Sequence, residues 1–248
     1  MVADLPFLGA GPSFRPEWRW DVIRHREDLG AIEVIPEDIA GPRSLADMRR
    51  VRAAVPVLVH GIGLSLGGAE PLDAARLSHW ARVVEALEPP WISEHIAFTR
   101  AAGMESGHLL PLPFTHEAVD TIARNVQQLR ATVPGVPILL ENIAYTLTLP
   151  GAELTEAEFV HAVIEATGCG LLLDLENVHA NAVNHGYDPI AYLEQLPLRQ
   201  AVEVHLAGGL WDGDTYADTH TRAVPEESWE LLDWLAARAP VRAVIVER

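Results

Sequence analysis

Apolar residues gather in eight short runs along the chain, at 7–13, 31–36, 56–60, 91–96, 137–141, 170–175, 201–206 and 243–247. Most are rich in Val, Ile and Leu without clean alternation, the pattern of parallel strands covered on both faces. Between them, apolar residues recur at helical spacing. "SLADMRRVRAA" opens at Ser44, a residue type favoured at helix N-caps. In "DAARLSHWARVVEALE", Ala75, Trp80, Val83, Val84 and Leu87 share one face; in "THEAVDTIARNVQQLRATV", which begins at Thr115, Val119, Ile122, Val126 and Leu129 do. "TEAEFVHAVIEATG" closes on Gly168, the expected C-cap. "DPIAYLEQLP", "PEESWELLDWLAARAP" with proline in its first turn, and a shorter helix within 17–29 complete the set.

Eight strands alternating with helices predict an α/β chain folded as one (β/α)8 barrel over residues 1–248, the alternative being an open doubly wound sheet. The length suits this, because such barrels run to about 250 residues as a single domain. The chain stops at "VIVER", which leaves no room for an eighth helix. The barrel is therefore expected to lack its last helix and to leave one flank bare, unless a partner or the N-terminal segment packs there.

The active site of such a barrel lies where its strands end, and those ends carry ionisable groups. Strand two ends in "EVIPED" with Glu33, Glu37 and Asp38. Strand three ends in His60, and strand four in Glu94 and His95. Strand five ends in Glu141 and Asn142, and strand six in Asp174, Glu176 and Asn177. Strand seven ends in His205 and strand eight in Glu247, while Asp218 and His220 lie in the loop after strand seven. One such residue is common by chance and is usually a hydrogen-bonded structural group. The collective pattern differs: His60, Glu141, Asp174 and His205 each follow aliphatic residues and so point into a dry barrel mouth. Buried ionisable groups without partners cost several kcal/mol each, so a cation is expected to join them. Mixed imidazole and carboxylate donors suit zinc, iron or manganese. Nine candidates (His60, His95, Glu141, Asp174, Asn177, His205, Asp218, His220 and Glu247) exceed the needs of one ion and predict two or three.

Composition narrows the partners. With 18 basic and 35 acidic residues the net charge is −17, which argues against nucleic acid because phosphate contacts need a basic surface. Bound cations would lower that charge. No run of 18 apolar residues predicts a membrane span, and the N-terminus has no signal-peptide pattern. Cys169 is the single cysteine, so no internal disulfide can form. A cytoplasmic protein that does not act on membranes is expected. Cys169 precedes strand six at the bottom of the barrel and reads as a packing residue.

The segments "VHGIGLSLGG", "WISEHIAF", "LLPLPFT", "LLENIAYTL", "LLLDLENVHANAVNHGYDP", "EVHLAGG" and "DTHTRAVPEESWELL" occur in order from about residue 9 to 247. In them the chain resembles the multinuclear non-heme iron-dependent oxidative enzymes, the group of the methanobactin-synthesis iron subunit and of the peptide-cysteine enzyme of 3-thiaglutamate synthesis. The resemblance implies a xylose-isomerase-like barrel holding two or three irons. It also implies O2-dependent modification of a ribosomally made precursor peptide, often at cysteine, with a small partner protein presenting the peptide. The wider superfamily includes endonuclease IV, whose trinuclear site implies a grouping. His60, His95 and Glu141 would hold one metal, and Glu141, Asp174, His205 and Glu247 a second. Asn177, Asp218 and His220 would hold a third, with Asn177 standing where the nuclease pattern has a histidine.

The chain departs from the family at "DLEN", where Glu176 replaces an asparagine, at His179, where an aromatic is common, and at Asp38, which follows Glu37 in place of asparagine. Glu176 and His185 are the candidate catalytic residues, His185 lying in a loop over the mouth as a ligand or proton donor, with bracing of that loop as the alternative. His108 is a candidate to reach the pocket, and Trp211 to line a peptide groove. His25, His79, His116 and His161 read as ordinary helix residues. Two other functions fit the same barrel: a divalent-metal hydrolase or sugar isomerase, and a non-catalytic metalloprotein that binds a peptide.

Overall fold

A computed structural model of the protein describes residues 4–248. Eight parallel strands carry the fold: β1 (Gly9–Pro12), β2 (Ile32–Val34), β3 (Val57–Gly61), β4 (Ile92–His95), β7 (Ile138–Glu141), β8 (Gly170–Asp174), β9 (Ala201–Leu206) and β12 (Ala243–Val246). They run in the order β1-β12-β9-β8-β7-β4-β3-β2. The two ends of that order meet: Ser13 bridges Glu33, the Phe14 N–H donates to the Glu33 carbonyl at 2.7 Å, and the Gly30 N–H donates to the Ala10 carbonyl at 2.8 Å. The sheet is thus a (β/α)8 barrel. Seven of the eight apolar runs read from the sequence contain one of its strands whole, and β3 runs one residue past 56–60, to Gly61.

The helices between them are α1 (Arg19–Arg24), α2 (Pro42–Arg52), α3 (Ala74–Leu87), α4 (His116–Thr132), α5 (Glu156–Thr167), α6 (Leu175–His185), α7 (Pro189–Leu193) and α8 (Glu226–Ala236). Their apolar faces pack on the outside of the barrel, as Trp80, Val83 and Leu87 of α3 and Ile122, Val126 and Leu129 of α4 do. Inside, Leu58, Trp91, Leu139, Leu172 and Ile245 fill the lower barrel. Two residues further along their strands stand His60, Glu141, Asp174 and, after β12, Glu247. The period-two alternation of a strand therefore places the ionisable residues directly above an apolar plug.

Two local expectations change, and two elements are added. Helix α2 begins at Pro42, with Gly41 as N-cap. Ser44 sits one turn in, where its hydroxyl accepts from the Gly41 N–H at 3.1 Å and donates to the Gly41 carbonyl at 2.9 Å. Proline fixes the helical φ at the first position, so the helix starts earlier than a capping serine implies. The stretch after strand six is no loop: α6 follows β8 at once. The Asp174 carboxylate caps it by accepting from the Asn177 N–H at 2.7 Å, and Gly186, at φ 73°, closes it. Finally, two hairpins rise from the mouth, β5 (Phe98–Ala101) with β6 (Met104–Leu110) and β10 (Leu210–Asp212) with β11 (Thr215–Ala217).

The closing seam between β1 and β2 depends on glycine. A Cβ on Gly11 would lie 1.7 Å from the Ala31 carbonyl oxygen, and one on Gly30 would lie 1.9 Å from that of Leu8. Both obstacles are backbone and cannot swing away. Gly11→Ala is expected to open the seam at a cost of at least the 1–3 kcal/mol or so typical of overpacking, read as a Tm fall of several degrees. An unchanged Tm would contradict the seam as described.

Candidate metal centre

At the C-terminal ends of the strands, pairs of ligand-type atoms face each other across a cavity of about 490 Å³. His60 Nε2 and His95 Nε2 lie 3.2 and 3.0 Å from Glu141 Oε2. The other nitrogen of each ring is already engaged: His60 Nδ1 with the Ser93 hydroxyl at 2.9 Å, and His95 Nδ1 with the Gly61 carbonyl at 3.0 Å. Those bonds fix the ring orientation and leave the two Nε2 atoms for a ligand. On the other side of Glu141, its Oε1 lies 3.4 Å from His205 Nδ1, which is 3.2 Å from Glu247 Oε2. His220 Nε2 lies 2.7 Å from Asp218 Oδ2 and 3.7 Å from Glu247 Oε2.

Four groups bring ligand atoms within 4.8 Å of one another: Glu33, His60 and His205; His60, His95 and Glu141; Glu141, Asp174, His205 and Glu247; and Asp174, Asp218 and His220. The array fits metal ions on an observation independent of that spacing. Glu141 Oε2, His205 Nδ1 and Asp218 Oδ1 are buried without a hydrogen-bond partner among the described residues. Buried polar atoms are rarely left so, and these three aim into the space their neighbours share. His220 adds a backbone φ of 54°, a left-handed conformation uncommon outside glycine.

All nine residues singled out from the sequence stand at this mouth. The second and third groups are those the resemblance implied. The fourth group holds Asp218 and His220, the partners implied for Asn177, together with Asp174, so Asp174 belongs to two groups, as Glu141 does. Asn177 still lines the cavity, and its amide nitrogen donates to the Asn142 carbonyl at 3.1 Å, so only its oxygen can serve as a ligand. Glu33, noted only as a strand end, enters through the closing strand; its carboxylate faces His205 Nε2 at 3.1 Å. Glu203 was not read at all. It lies two residues before His205 on one strand face, which was the available signal, and it is fully buried.

Glu176 and His185 lie outside the cavity lining. Glu176 is completely buried and its acceptors are filled by the Gly209 N–H at 2.9 Å, the Tyr216 hydroxyl at 2.7 Å and the Ser228 hydroxyl at 2.8 Å. That network ties α6 to the β10–β11 hairpin and to α8. His185 ends α6 rather than sitting in a loop; it stacks on Tyr145 at 4.4 Å between ring centroids, and its Nε2 binds the Tyr145 carbonyl at 2.9 Å. His108 does line the cavity. Trp211 is exposed on β10, and Cys169 is buried beside Arg130 below the barrel.

The charges of the metal-free site set its pH response. Burial alone would strip His95 of its proton, but the Glu141 and Glu94 carboxylates outweigh it and raise the imidazole from 6.5 to about 9. Burial is likewise overridden at His220, raised to about 9 by Asp218 and Glu247. Burial would raise Glu141, yet His95, His60 and His205 hold it down to about 2. The stabilisation from a raised histidine is complete below 6.5 and gone above about 9. That from Glu141 is complete above the ordinary 4.5 and lost as the pH falls towards 2. A metal ligand must be neutral imidazole, so metal uptake has the opposite slope and releases protons. Between pH 6.5 and 9 the metal-free protein is expected to lose Tm while metal affinity rises, with proton release measurable in weakly buffered solution. Parallel slopes would contradict the assignment.

No helix of the described residues is long and apolar enough to cross a membrane. The architecture is shared with solved barrels of low sequence identity. A xylose isomerase domain-containing protein from Salmonella typhimurium matches with a TM-score of 0.61 at 12% identity, over 98% of this chain and 88% of that one. Endonuclease IV from Thermus thermophilus matches at 0.58 and 20% identity, over 98% and 92%. At the sequence level, a UPF0276 protein of Streptomyces avermitilis is 39% identical over 97% of this chain, which spans 51% of that protein. One of Bordetella pertussis is 37% identical over 96%, and there the chain spans 85%. The sequence model of a family described as "RiPP precursor modification enzyme MbnB/TglH/ChrH" matches residues 9–248. The chain belongs to the MbnB/TglH/ChrH family of RiPP precursor modification enzymes.

Proposed function

We propose that the protein is a multinuclear non-heme iron enzyme that uses O2 to modify a ribosomally synthesised precursor peptide oxidatively at cysteine. The observation that carries this reading is the run of candidate ligand groups joined end to end by Glu141 and Asp174, in which Glu141 Oε2, His205 Nδ1 and Asp218 Oδ1 are buried without a hydrogen bond among the described residues. His60, His95 and Glu141 would hold one metal, Glu141, Asp174, His205 and Glu247 the central one, and Asp174, Asp218, His220 and Asn177 the third. Bound iron would supply O2 activation and a site for a thiolate, a soft anion suited to such a metal.

The protein's own residues do the rest. Phe14, Ile35, Ile62, Leu109 and Ala144 line the cavity with the ligands and would hold the peptide backbone while displacing water. His108 lines the same cavity outside the ligand groups, and its imidazole nitrogen would take the proton of an entering thiol. Since Glu176 and His185 lie in the walls, they would act by holding α6 in place. A small protein presenting the peptide is part of the same proposal.

The test is anaerobic reconstitution with Fe(II), followed by metal analysis and O2 uptake with a cysteine-bearing precursor peptide. More than one iron per chain and O2 consumption coupled to a mass change in the peptide are expected. Turnover with zinc or manganese and no O2 uptake would favour a hydrolase or isomerase. Metal binding without any turnover would favour a peptide-binding protein.

A further inference from the structure

Resting on the multinuclear reading, we infer that Glu33 is a positioning residue: it holds His205 in the tautomer opposite to that of His60 and His95, and so presents Nδ1 to the central metal. His205 has two ring nitrogens and two sets of carboxylates. Nδ1 faces Glu141 and Glu247 at 3.4 and 3.2 Å and has no hydrogen bond among the described residues. Nε2 faces both oxygens of Glu33, at 3.1 and 3.3 Å, and makes a hydrogen bond. A neutral imidazole carries one N–H. At Nε2 it satisfies Glu33 and frees the Nδ1 lone pair for the ion that Glu141, Asp174 and Glu247 surround. At Nδ1 it would leave a bare lone pair against a buried carboxylate.

The comparison within the site supports this. His60 and His95 present Nε2 to Glu141 because their Nδ1 atoms are tied to Ser93 and to the Gly61 carbonyl. For His205 the outer partner lies on the opposite nitrogen. The group of Glu33, His60 and His205 is then not a fourth metal site. His60 Nε2 is already committed beside Glu141, and Glu33 serves from outside the ligand shell, as a carboxylate–histidine–metal relay does.

Neighbouring acids do not compete for the role. Glu203 approaches His205 Nε2 only to 4.0 Å, beyond hydrogen-bond reach, and its other oxygen accepts from the Trp91 indole at 2.8 Å. Glu33 is fixed by the barrel seam, where its own backbone carbonyl accepts from the Phe14 N–H at 2.7 Å. The closure of the barrel therefore sets the tautomer of the central ligand.

The experiment uses full-length protein in two measurements. With Zn²⁺ as a diamagnetic probe, two-bond ¹⁵N–¹H correlations of the histidine rings report each tautomer, His205 being assigned by its loss in His205→Gln. Wild type is expected to show His205 as the Nε2–H form. Stepwise anaerobic Fe(II) titration against a chelator then gives site affinities. Glu33→Ala is expected to weaken the central site about 10–100-fold with the other two unchanged, whereas Glu33→Gln, whose amide oxygen still accepts, recovers most of that loss. Circular dichroism checks folding, and Glu203→Gln is expected to titrate like wild type.

An Nδ1–H form of His205, unchanged affinities in Glu33→Ala, or an equal loss at all sites would overturn the positioning role. Loss of one whole equivalent in Glu33→Gln would make Glu33 a ligand instead. A wild-type chain that binds at most one metal would overturn the multinuclear reading as well, which separates the two failures.

Discussion

Glu141→Gln is expected to cut metal content from three ions per chain to about one, the largest loss from any single substitution at the mouth. The two oxygens of Glu141 face different sides of the site: Oε2 looks to His60 and His95, and Oε1 to His205. An amide removes the negative charge both ions would share and replaces one oxygen donor with an NH2 group that cannot coordinate. The effect should exceed the roughly 10–100-fold cost of losing an outer-shell partner. Asn177→Ala, which removes a neutral donor at the far end, should reduce only the third site. His25→Ala serves as the control, because that ring is exposed just beyond α1, away from the mouth, and pairs with Asp28 at 3.4 Å. The measurement is metal stoichiometry for the three variants beside wild type. Full metal content in Glu141→Gln together with loss in His25→Ala would refute the site.

The strands and the candidate site residues were legible in the sequence for one physical reason. A strand covered on both faces must be aliphatic, so a His, Asp or Glu that ends it stands out, and the barrel supplies the direction in which it points. His60, Glu141, Asp174 and His205 all obey that rule. Helix α6 was hidden because its cap and the candidate ligand are the same residue. Asp174 ends β8 and accepts from the Asn177 N–H, so no turn residues separate strand from helix. "NHG" therefore read as a loop although Gly186 is a helix C-cap. The β5–β6 hairpin did carry a signal: Ala102 and Gly103, both at positive φ, form its turn. Glu33 and Glu203 show the remaining gap. Strand alternation gives their face, but which nitrogen of His205 each one meets depends on barrel closure, and no local pattern encodes that.

The largest stability effect should come from removing the metals, and it should reverse the order of wild type and one variant. In the metal-free mouth, burial and the nearby Asp218, Glu141 and Glu247 push the Asp174 carboxyl well above the usual carboxylate range. The native state thus holds a carboxylate where charge is disfavoured, and ions binding that state alone would restore stability. One site at a hundredfold excess over its Kd contributes about 2.7 kcal/mol, worth roughly 5–11 °C in a chain of this size. Chelation is therefore expected to lower the Tm by at least that much. Asp174→Asn separates this electrostatic cause from a structural one. Asparagine caps a helix about as well as aspartate, so α6 keeps its start, while the charge that repels Asp218, Glu141 and Glu247 is gone. The variant is expected to melt higher than wild type when both are metal-free, and lower when both are loaded, because the third and fourth groups lose a shared anionic residue. Calorimetry of the four samples, with metal loss confirmed, decides it. A Tm unmoved by chelation, or an Asp174→Asn variant less stable in both states, would show that the carboxylates at the mouth are held by something other than bound cations.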